Sequence, residues 1–208
     1  MLEISSLSFI SMIVELEDYY NVELGDGQLD FSVYDTRKNM KEINAIIAKR
    51  KSSRNFIEKS VDINDVYLLL ESARWAPSGK NGQPWRFIVV KEKGIKLKIA
   101  NCSIYKGWMK NADTFIVVYL DKDKSYNYIK DVQGIGAAIE NICIQATAMD
   151  LGTCWIGEIL SNEHEVNCIL NVPSNFELMA VICVGYTESV FEHSQRLPLD
   201  ELIHKVYQ

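Results

Sequence analysis

The sequence predicts an α+β fold built around a single sheet. Two observations carry this prediction: short β-branched apolar runs that fit buried strands, and longer segments with apolar residues at helical spacing. The strand candidates are RFIVVK (86–91), TFIVVYL (114–120), TCWIG (153–157) and LMAVICVGY (178–186). Because helices and strands intermingle along the chain, we expect them to share one core.

Two helices are expected before the first strand. MKEINAIIAKR (40–50) places three isoleucines on one face, namely Ile43, Ile46 and Ile47. DINDVYLLLESARW (62–75) has Asp62 in a suitable position for an N-cap. Its predicted buried stripe consists of Val66, Leu69, Leu70 and Ala73.

The clearest helix candidate is DVQGIGAAIENICIQATAMDLG (131–152). An apolar seam at spacings of three and four runs along it, formed by Ile135, Ile139, Ile142, Ala146 and Met149. Small residues at 134 and 136–138 keep its first turns thin, which suits close approach by another helix. We therefore expect this helix to pair with its copy across a two-fold axis, and Gly152 to end it.

Composition excludes several classes of protein. With 208 residues, 48% of them apolar, and a net charge of −6, the chain is an ordinary globular one without a nucleic-acid surface. No apolar run approaches the ~18 residues of a membrane span, and the start of the chain lacks the basic region of a signal peptide. The five cysteines form neither a CxxC pair nor a metal-ligand cluster. We expect buried, reduced thiols in a cytoplasmic protein, and no metal site.

The first of four polar segments that interrupt the apolar elements is KRKSSRNF (49–56). Three cations, Arg50, Lys51 and Arg54, are interleaved here with the hydroxyls of Ser52 and Ser53. Such a set can chelate a phosphate, because guanidinium donors match its oxygens two at a time. The alternative is a solvated helix end whose cations offset the macrodipole.

The other three polar segments are a loop, a strand end and a tail. APSGKNGQPWRF (76–87) exceeds the roughly 2–6 residues of a plain connection, so it is either a stiff, donor-rich rim for a polar ligand or a tight turn anchored by Trp85. GTCWIGE (152–158) lets backbone approach a flat ligand, or is a strand with two glycine kinks. SQRLPLDEL (194–202) contains Arg196, which is either a cation available to a ligand or only a surface arginine in a tail.

None of these segments contains a nucleophile–base pair or a phosphate-binding P-loop. Cys154 has no histidine near it in sequence. Donors and cations without a reactive side chain are typical of a protein in which a bound cofactor does the chemistry.

Taken in order, RKSSRNF (50–56), APSGKNGQPWRFIVV (76–90), the helix at 131–152 with TCWIG, and RLPLDEL (196–202) resemble the nitroreductase family of flavin enzymes. The resemblance covers about residues 40–208. It implies an α+β nitroreductase-like fold, with a central mainly antiparallel sheet flanked by helices, in an intertwined homodimer with two flavins at the interface. It also implies ping-pong hydride transfer from NAD(P)H through bound FMN to a nitroaromatic or quinone.

The resemblance also implies roles for individual residues. Arg50, Ser52 and Arg196 would hold the phosphate, with Lys51 adding charge or backbone, and Arg54 would stabilise negative charge at the pyrimidine edge of the ring. Pro77, Ser78 and Asn81 would meet the cofactor from the partner chain, and Ile156 and Gly157 would place backbone near the reactive nitrogen. The candidates for lining the substrate site are Lys80, Tyr105, Lys106 and Trp108. The sequence departs from the family pattern in two places. Ser194 and Gln195 stand where a second basic residue is usual, so phosphate binding is expected to depend mainly on Arg50. Asp113 stands where proline is common, and no consequence is expected.

Residues 1–39 are expected to form a helical extension, with a helix at 6–20. This stretch resembles the later part of an acyl carrier protein, with Ser6 in the place of the phosphopantetheine serine. Because Ser5 replaces the usual aspartate and the preceding helix is missing, we expect a remnant helix with unmodified Ser6. Two alternatives stay open: a flavin oxidase or dehydrogenase acting on a carrier-tethered substrate, and a flavin-binding protein without turnover.

Overall fold

A computed structural model describes residues 36–188 and 195–208. The chain divides into two compact units, Met1–Ile43 and Asn44–Gln208. The expected helix at 6–20, Ser6 and most of the extension 1–39 lie outside the described residues. The carrier-protein interpretation and the domain boundary between residues 39 and 40 therefore stay predictions.

The described strands form one antiparallel sheet. They are β1 (Trp85–Val90), β2 (Thr114–Asp121), β3 (Gly152–Ile156) and β4 (Phe176–Gly185), in the order β1–β2–β4–β3. Each strand is antiparallel to its neighbour, with a register shift between Val118 and Tyr119 where β2 meets β4. The four predicted strands are confirmed, and among the described strands β3 is at an edge.

Helices cover both faces of this sheet. The described helices are α1 (Thr36–Lys49), α2 (Ile63–Arg74), α3 (Lys93–Asn101), α4 (Lys106–Met109), α5 (Tyr128–Ala148), α6 (Glu163–Leu170) and α7 (Leu199–Leu202). On one face α2 and α5 pack against residues such as Ile116, while on the other α3, α4 and α6 pack against residues such as Val117. Because β2 is buried on both faces, its sequence is a continuous apolar run. The α+β fold with an antiparallel sheet flanked by helices is confirmed.

The predicted details of α2 are confirmed at both its cap and its buried stripe. Asp62 is the N-cap, and its carboxylate accepts a hydrogen bond from the backbone N–H of Asn64 at 2.8 Å. Val66, Leu69 and Ala73 are fully buried, and Leu70 is half-buried.

The prediction that Gly152 ends the long helix is wrong. Helix α5 ends at Ala148, and the chain turns at Asp150, which adopts a left-handed conformation with φ of 56°. Gly152 is instead the first residue of β3. A Cβ at this position would collide with the Thr187 side chain and lie 2.9 Å from Ser53 Oγ, so the glycine is needed for close packing.

The interpretation of the α5 seam as a surface for pairing two chains is also wrong. Ile135 is 2% exposed, and Ile139, Ile142 and Ala146 are fully buried within the core of this chain. A single chain therefore already covers the seam. The thin first turns serve a local contact, because a Cβ at Gly134 would lie 3.0 Å from the Pro77 carbonyl oxygen.

Asp113, for which the sequence predicted no consequence, has a structural role at the start of β2. Its carboxylate accepts hydrogen bonds from Val61 N at 3.1 Å and Thr114 Oγ1 at 2.9 Å, and it forms an ion pair with Lys91. Burial alone would raise the pKa of Asp113, but the bond from Lys91 and the other donors outweigh burial and lower it.

The cysteines within the described residues are free thiols. Cys143, Cys154 and Cys183 are buried as predicted, and Cys102 is half-buried. Cys168 is exposed, so the prediction of buried thiols is wrong there. No helix in the described part of the chain is long and apolar enough to cross a membrane.

Candidate cofactor site

The basic segment, residues 50–54, is fixed along the outer edge of β3. Ser52 forms a parallel bridge with Thr153, and Ser53 N donates to the Thr153 carbonyl oxygen at 2.7 Å. Ser53 is buried, whereas Ser52 and Arg54 are exposed. The segment therefore presents cations and a hydroxyl from a backbone that the sheet holds in place.

Arg50 lies just beyond the end of α1 and is held by Glu140 of α5. Its Nε forms an ion pair with Glu140 Oε1 at 3.1 Å, and its side chain is 20% exposed. The contact with Glu140 runs through Nε, and the terminal guanidinium nitrogens carry further N–H donors that suit a second anion. Sequence reasoning missed Glu140, because a pair 90 positions apart leaves no local signal.

Arg54 lies over an aromatic cluster. Its guanidinium is 5.9 Å from the centroid of the Trp108 ring. The Trp108 ring is 5.8 Å from that of Tyr105 and 6.3 Å from that of Phe56. The structure thus brings the predicted ring-edge arginine together with two predicted substrate-lining residues, and Lys106 is exposed on the same short helix, α4.

Just after β3, the backbone is not covered by side chains. Ile156 buries its side chain, while Gly157 is exposed, and a Cβ added to Gly157 would meet no atom within 4 Å. The next residue, Glu158, accepts a hydrogen bond from Ser103 Oγ at 2.7 Å. This contact, which sequence reasoning also missed, ties the stretch that carries Tyr105 and Trp108 to the end of β3.

The loop at 77–83 has a strained backbone. Trp85 is 6% exposed and anchors it in the core, as predicted. The loop contains a short 3₁₀ turn, Gly79–Asn81, and three of its non-glycine residues have positive φ: Lys80 (53°), Asn81 (56°) and Gln83 (46°). Such conformations are costly and persist where the surroundings enforce them, which is common at binding sites. Ser78 Oγ fixes the turn by accepting a hydrogen bond from Gln83 N at 3.1 Å.

A single chain gathers only part of the predicted site. The basic segment contacts β3 and Glu140, and the Arg54 cluster lies beside it. The loop instead packs at the first turns of α5, where Lys80 Nζ lies 4.3 Å from the centroid of the Tyr126 ring. Arg196 is exposed and donates to the carbonyl oxygen of Gln195 at 3.0 Å. Within one chain, the loop at 77–83 and Arg196 therefore contact residues outside the basic segment.

The thiols near the site are not activated nucleophiles. Burial raises the pKa of Cys154, although Arg54 and Ser52 act in the opposite direction. Burial also raises the pKa of Cys143 to about 11. Both thiols are therefore protonated near neutral pH, and the groups that remain are donors, cations and aromatic faces.

The nitroreductase family model matches residues 47–104 and 99–186. The chain belongs to the nitroreductase family. The resemblance noted in the sequence is confirmed for this part of the chain, which contains the basic segment, the loop and the end of β3.

Nitroreductase-family relatives match most of the chain. A candidate NADH dehydrogenase/NAD(P)H nitroreductase from Archaeoglobus fulgidus is 32% identical over 151 residues, which are 71% of this chain and 86% of that protein. A candidate nitroreductase from Desulfovibrio desulfuricans, solved in complex with FMN, is 32% identical with a TM-score of 0.75, covering 80% of this chain and 97% of that one. A candidate NADH oxidase from Clostridium acetobutylicum is 33% identical with a TM-score of 0.71, covering 78% and 99%.

Proposed function

We propose that this chain is an FMN-dependent oxidoreductase that takes electrons from NAD(P)H and delivers them to an oxidised acceptor such as a nitroaromatic or a quinone. This proposal rests on one observation about the edge strand β3. The basic segment is held beside this strand, and just after the strand, at Gly157, no side chain covers the backbone. A flat cofactor that bears a phosphate needs both features. Membership of the nitroreductase family supports the same function.

The residues present fit FMN. Arg50, oriented by Glu140, would chelate phosphate oxygens through its terminal nitrogens, with Lys51 and the exposed residue Ser52 beside it. The backbone of Ile156 and Gly157 would face the flavin ring, because no side chain covers Gly157. When bound, FMN supplies the two-electron chemistry, accepting a hydride from the nicotinamide and passing electrons to the acceptor.

The test of this function is steady-state kinetics with NADH or NADPH and a quinone as substrates. If NAD(P)H and the acceptor react in turn at the same flavin, the kinetic mechanism is ping-pong. Double-reciprocal plots of rate against donor concentration, taken at several acceptor concentrations, then give parallel lines. A protein that holds FMN but shows no turnover with either nicotinamide would contradict the proposal, and would favour the alternative of a flavin-binding protein.

The free thiols are consistent with a reducing cytoplasm.

Arg54→Ala is expected to slow reduction of the bound flavin about tenfold while leaving FMN affinity nearly unchanged. The positive charge of Arg54 would stabilise negative charge that grows on the ring, an electrostatic contribution that partial exposure reduces. Stopped-flow absorbance under anaerobic conditions gives the rate, and fluorescence titration gives the affinity. Arg54→Lys, which retains the charge, is the control. A loss of affinity with an unchanged rate would assign Arg54 to binding instead.

We infer that the enzyme is a homodimer in which the loop at 77–83 and Arg196 of one chain complete the site of the other. Two observations support this inference. Within one chain, the loop and Arg196 contact residues outside the basic segment, and the C-terminal tail has exposed apolar residues. Leu197, Leu199, Leu202 and Val206 are 61–71% exposed, and contiguous apolar surface of this kind marks an interaction site.

Sedimentation velocity of the flavin-loaded protein is expected to give a single dimeric species. Truncation after residue 195 should shift it towards monomer and release flavin, because it removes both the exposed apolar tail and Arg196. A flavin-loaded monomer of the full chain would contradict the inference directly.

A further inference from the structure

A cavity of about 510 Å³ opens at the edge of the molecule where β1 ends and β2 begins. This volume is within the range of small-molecule sites. Two stretches, 56–60 and 110–113, form most of its wall, and α3 contributes Lys93 and Lys96. None of the residues assigned above to the phosphate or the flavin ring lines it.

The lining of this cavity is strongly cationic in a chain of net charge −6. Lys59, Lys93, Lys96 and Lys110 face two acidic residues, Glu58 and Asp113. Asp113 is already neutralised by its ion pair with Lys91, which lies outside the lining. Four lysines therefore outweigh one uncompensated carboxylate.

Lys96 gives the cavity a fixed cation. It is 8% exposed, and its Nζ donates to the carbonyl oxygens of Ala112 at 2.8 Å and Asp113 at 2.5 Å. Lys93 and Lys110 are exposed at the cavity and carry point charges of the kind that bind phosphate. Lys59 is held with its Nζ 3.7 Å from the centroid of the Tyr186 ring.

A single aromatic side chain separates the cavity from the cluster of Arg54, Trp108 and Tyr105. Phe56 lines the cavity, and its ring is also 6.3 Å from that of Trp108. Both wall-forming stretches lead out of the cluster: Arg54 precedes Phe56 by two positions, and Trp108 precedes Lys110 by two. At about 3.3 Å per extended residue, the step from Arg54 to Lys59 spans up to roughly 16 Å.

We propose that this lysine cavity binds the phosphates of the nicotinamide dinucleotide, while the nicotinamide reaches the flavin beside Arg54 and Trp108. The inference rests on the proposed function, since it needs NAD(P)H as the donor. A dinucleotide carries a pyrophosphate some distance from its reactive ring, and the cavity supplies cations on the far side of Phe56 from Trp108. The extra phosphate of NADPH gives it the greater benefit from these lysines.

The test compares two hydride donors in a Lys93→Ala/Lys110→Ala double variant. NADPH carries phosphates, whereas 1-benzyl-1,4-dihydronicotinamide carries none. At low ionic strength the variant is expected to raise the KM for NADPH about tenfold, equivalent to about 1.4 kcal/mol. The KM for the benzyl donor and the FMN content should not change, and added salt should reduce the difference between variant and wild type.

The matched control is Lys98→Ala/Lys122→Ala, which removes the same charge from exposed positions outside the cavity lining. An unchanged KM for NADPH in the cavity variant, or an equal rise with the control, would overturn the inference. So would an equal rise for both donors. If the wild type oxidises the benzyl donor and NADPH but the cavity variant behaves normally, only the inference fails. If neither donor reduces the wild-type flavin, the proposed function itself fails.

Discussion

Arg50→Ala is expected to weaken FMN binding roughly ten- to a hundredfold and riboflavin binding far less. The phosphate of FMN carries close to two negative charges, and Arg50, which contacts Glu140 through Nε, offers it the donors of its terminal nitrogens. A hydrogen bond to a charged group contributes about 1.5–3 kcal/mol, and each 1.4 kcal/mol is a factor of about ten in affinity. Fluorescence titration of both ligands into the apoprotein measures the difference.

Four further variants sharpen this test. Arg196→Ala is expected to act in the same direction as Arg50→Ala, and Lys49→Ala, which removes a cation paired with Asp150 instead, should have little effect. Glu140→Gln retains an acceptor for Arg50 Nε and should preserve FMN affinity better than Glu140→Ala, which frees the side chain. If Arg50→Ala weakens riboflavin as much as FMN, Arg50 has a structural role and the phosphate site is wrongly placed.

Asp131→Ala is expected to lower the free energy of unfolding by about 3 kcal/mol or more. Asp131 is 1% exposed, and its Oδ2 accepts hydrogen bonds from Ser125 Oγ (2.8 Å), Tyr126 N (2.8 Å) and Asn127 N (2.9 Å). Alanine would remove all three hydrogen bonds to the carboxylate, and a hydrogen bond to a charged group contributes about 1.5–3 kcal/mol. Urea unfolding at fixed protein concentration measures the change.

Two controls separate this network from ordinary helix-end electrostatics. Asp131→Asn retains an oxygen acceptor and should cost less than alanine. Asp65→Ala removes an acid from the first turn of α2 and should cost under about 1 kcal/mol, the usual range for an interaction with the helix dipole. Equal losses for Asp131→Ala and Asp65→Ala would show that the three hydrogen bonds to the Asp131 carboxylate contribute little.

Local patterns predicted the elements of this fold, because each strand and helix owes its periodicity to its own burial. The β-branched run at 114–120 is buried on both faces, and Asp62 caps its helix as its position indicates. The failures concern partners that are distant in sequence. Whether the α5 seam packs within the chain or between chains depends on α2 and the sheet, and periodicity is the same in both cases.

The candidate site was predictable to a similar depth. Residue types identified the basic segment, the loop and the end of β3, and family motifs assigned their roles. The residues that position the site were not predictable. Glu140 and Glu158 act on Arg50 and Ser103 through contacts that only the folded chain creates. Gly152 was misassigned because its function is close packing against Ser53 and Thr187, which the sequence does not reveal.

The most direct test of the account is the absorbance spectrum of the purified, FMN-loaded protein before and after anaerobic addition of NADH or NADPH. We expect the bands of bound flavin to bleach with at least one nicotinamide and to return when a quinone is added. Bands that persist unchanged with both nicotinamides, or a protein that takes up no FMN at all, would contradict the central claim.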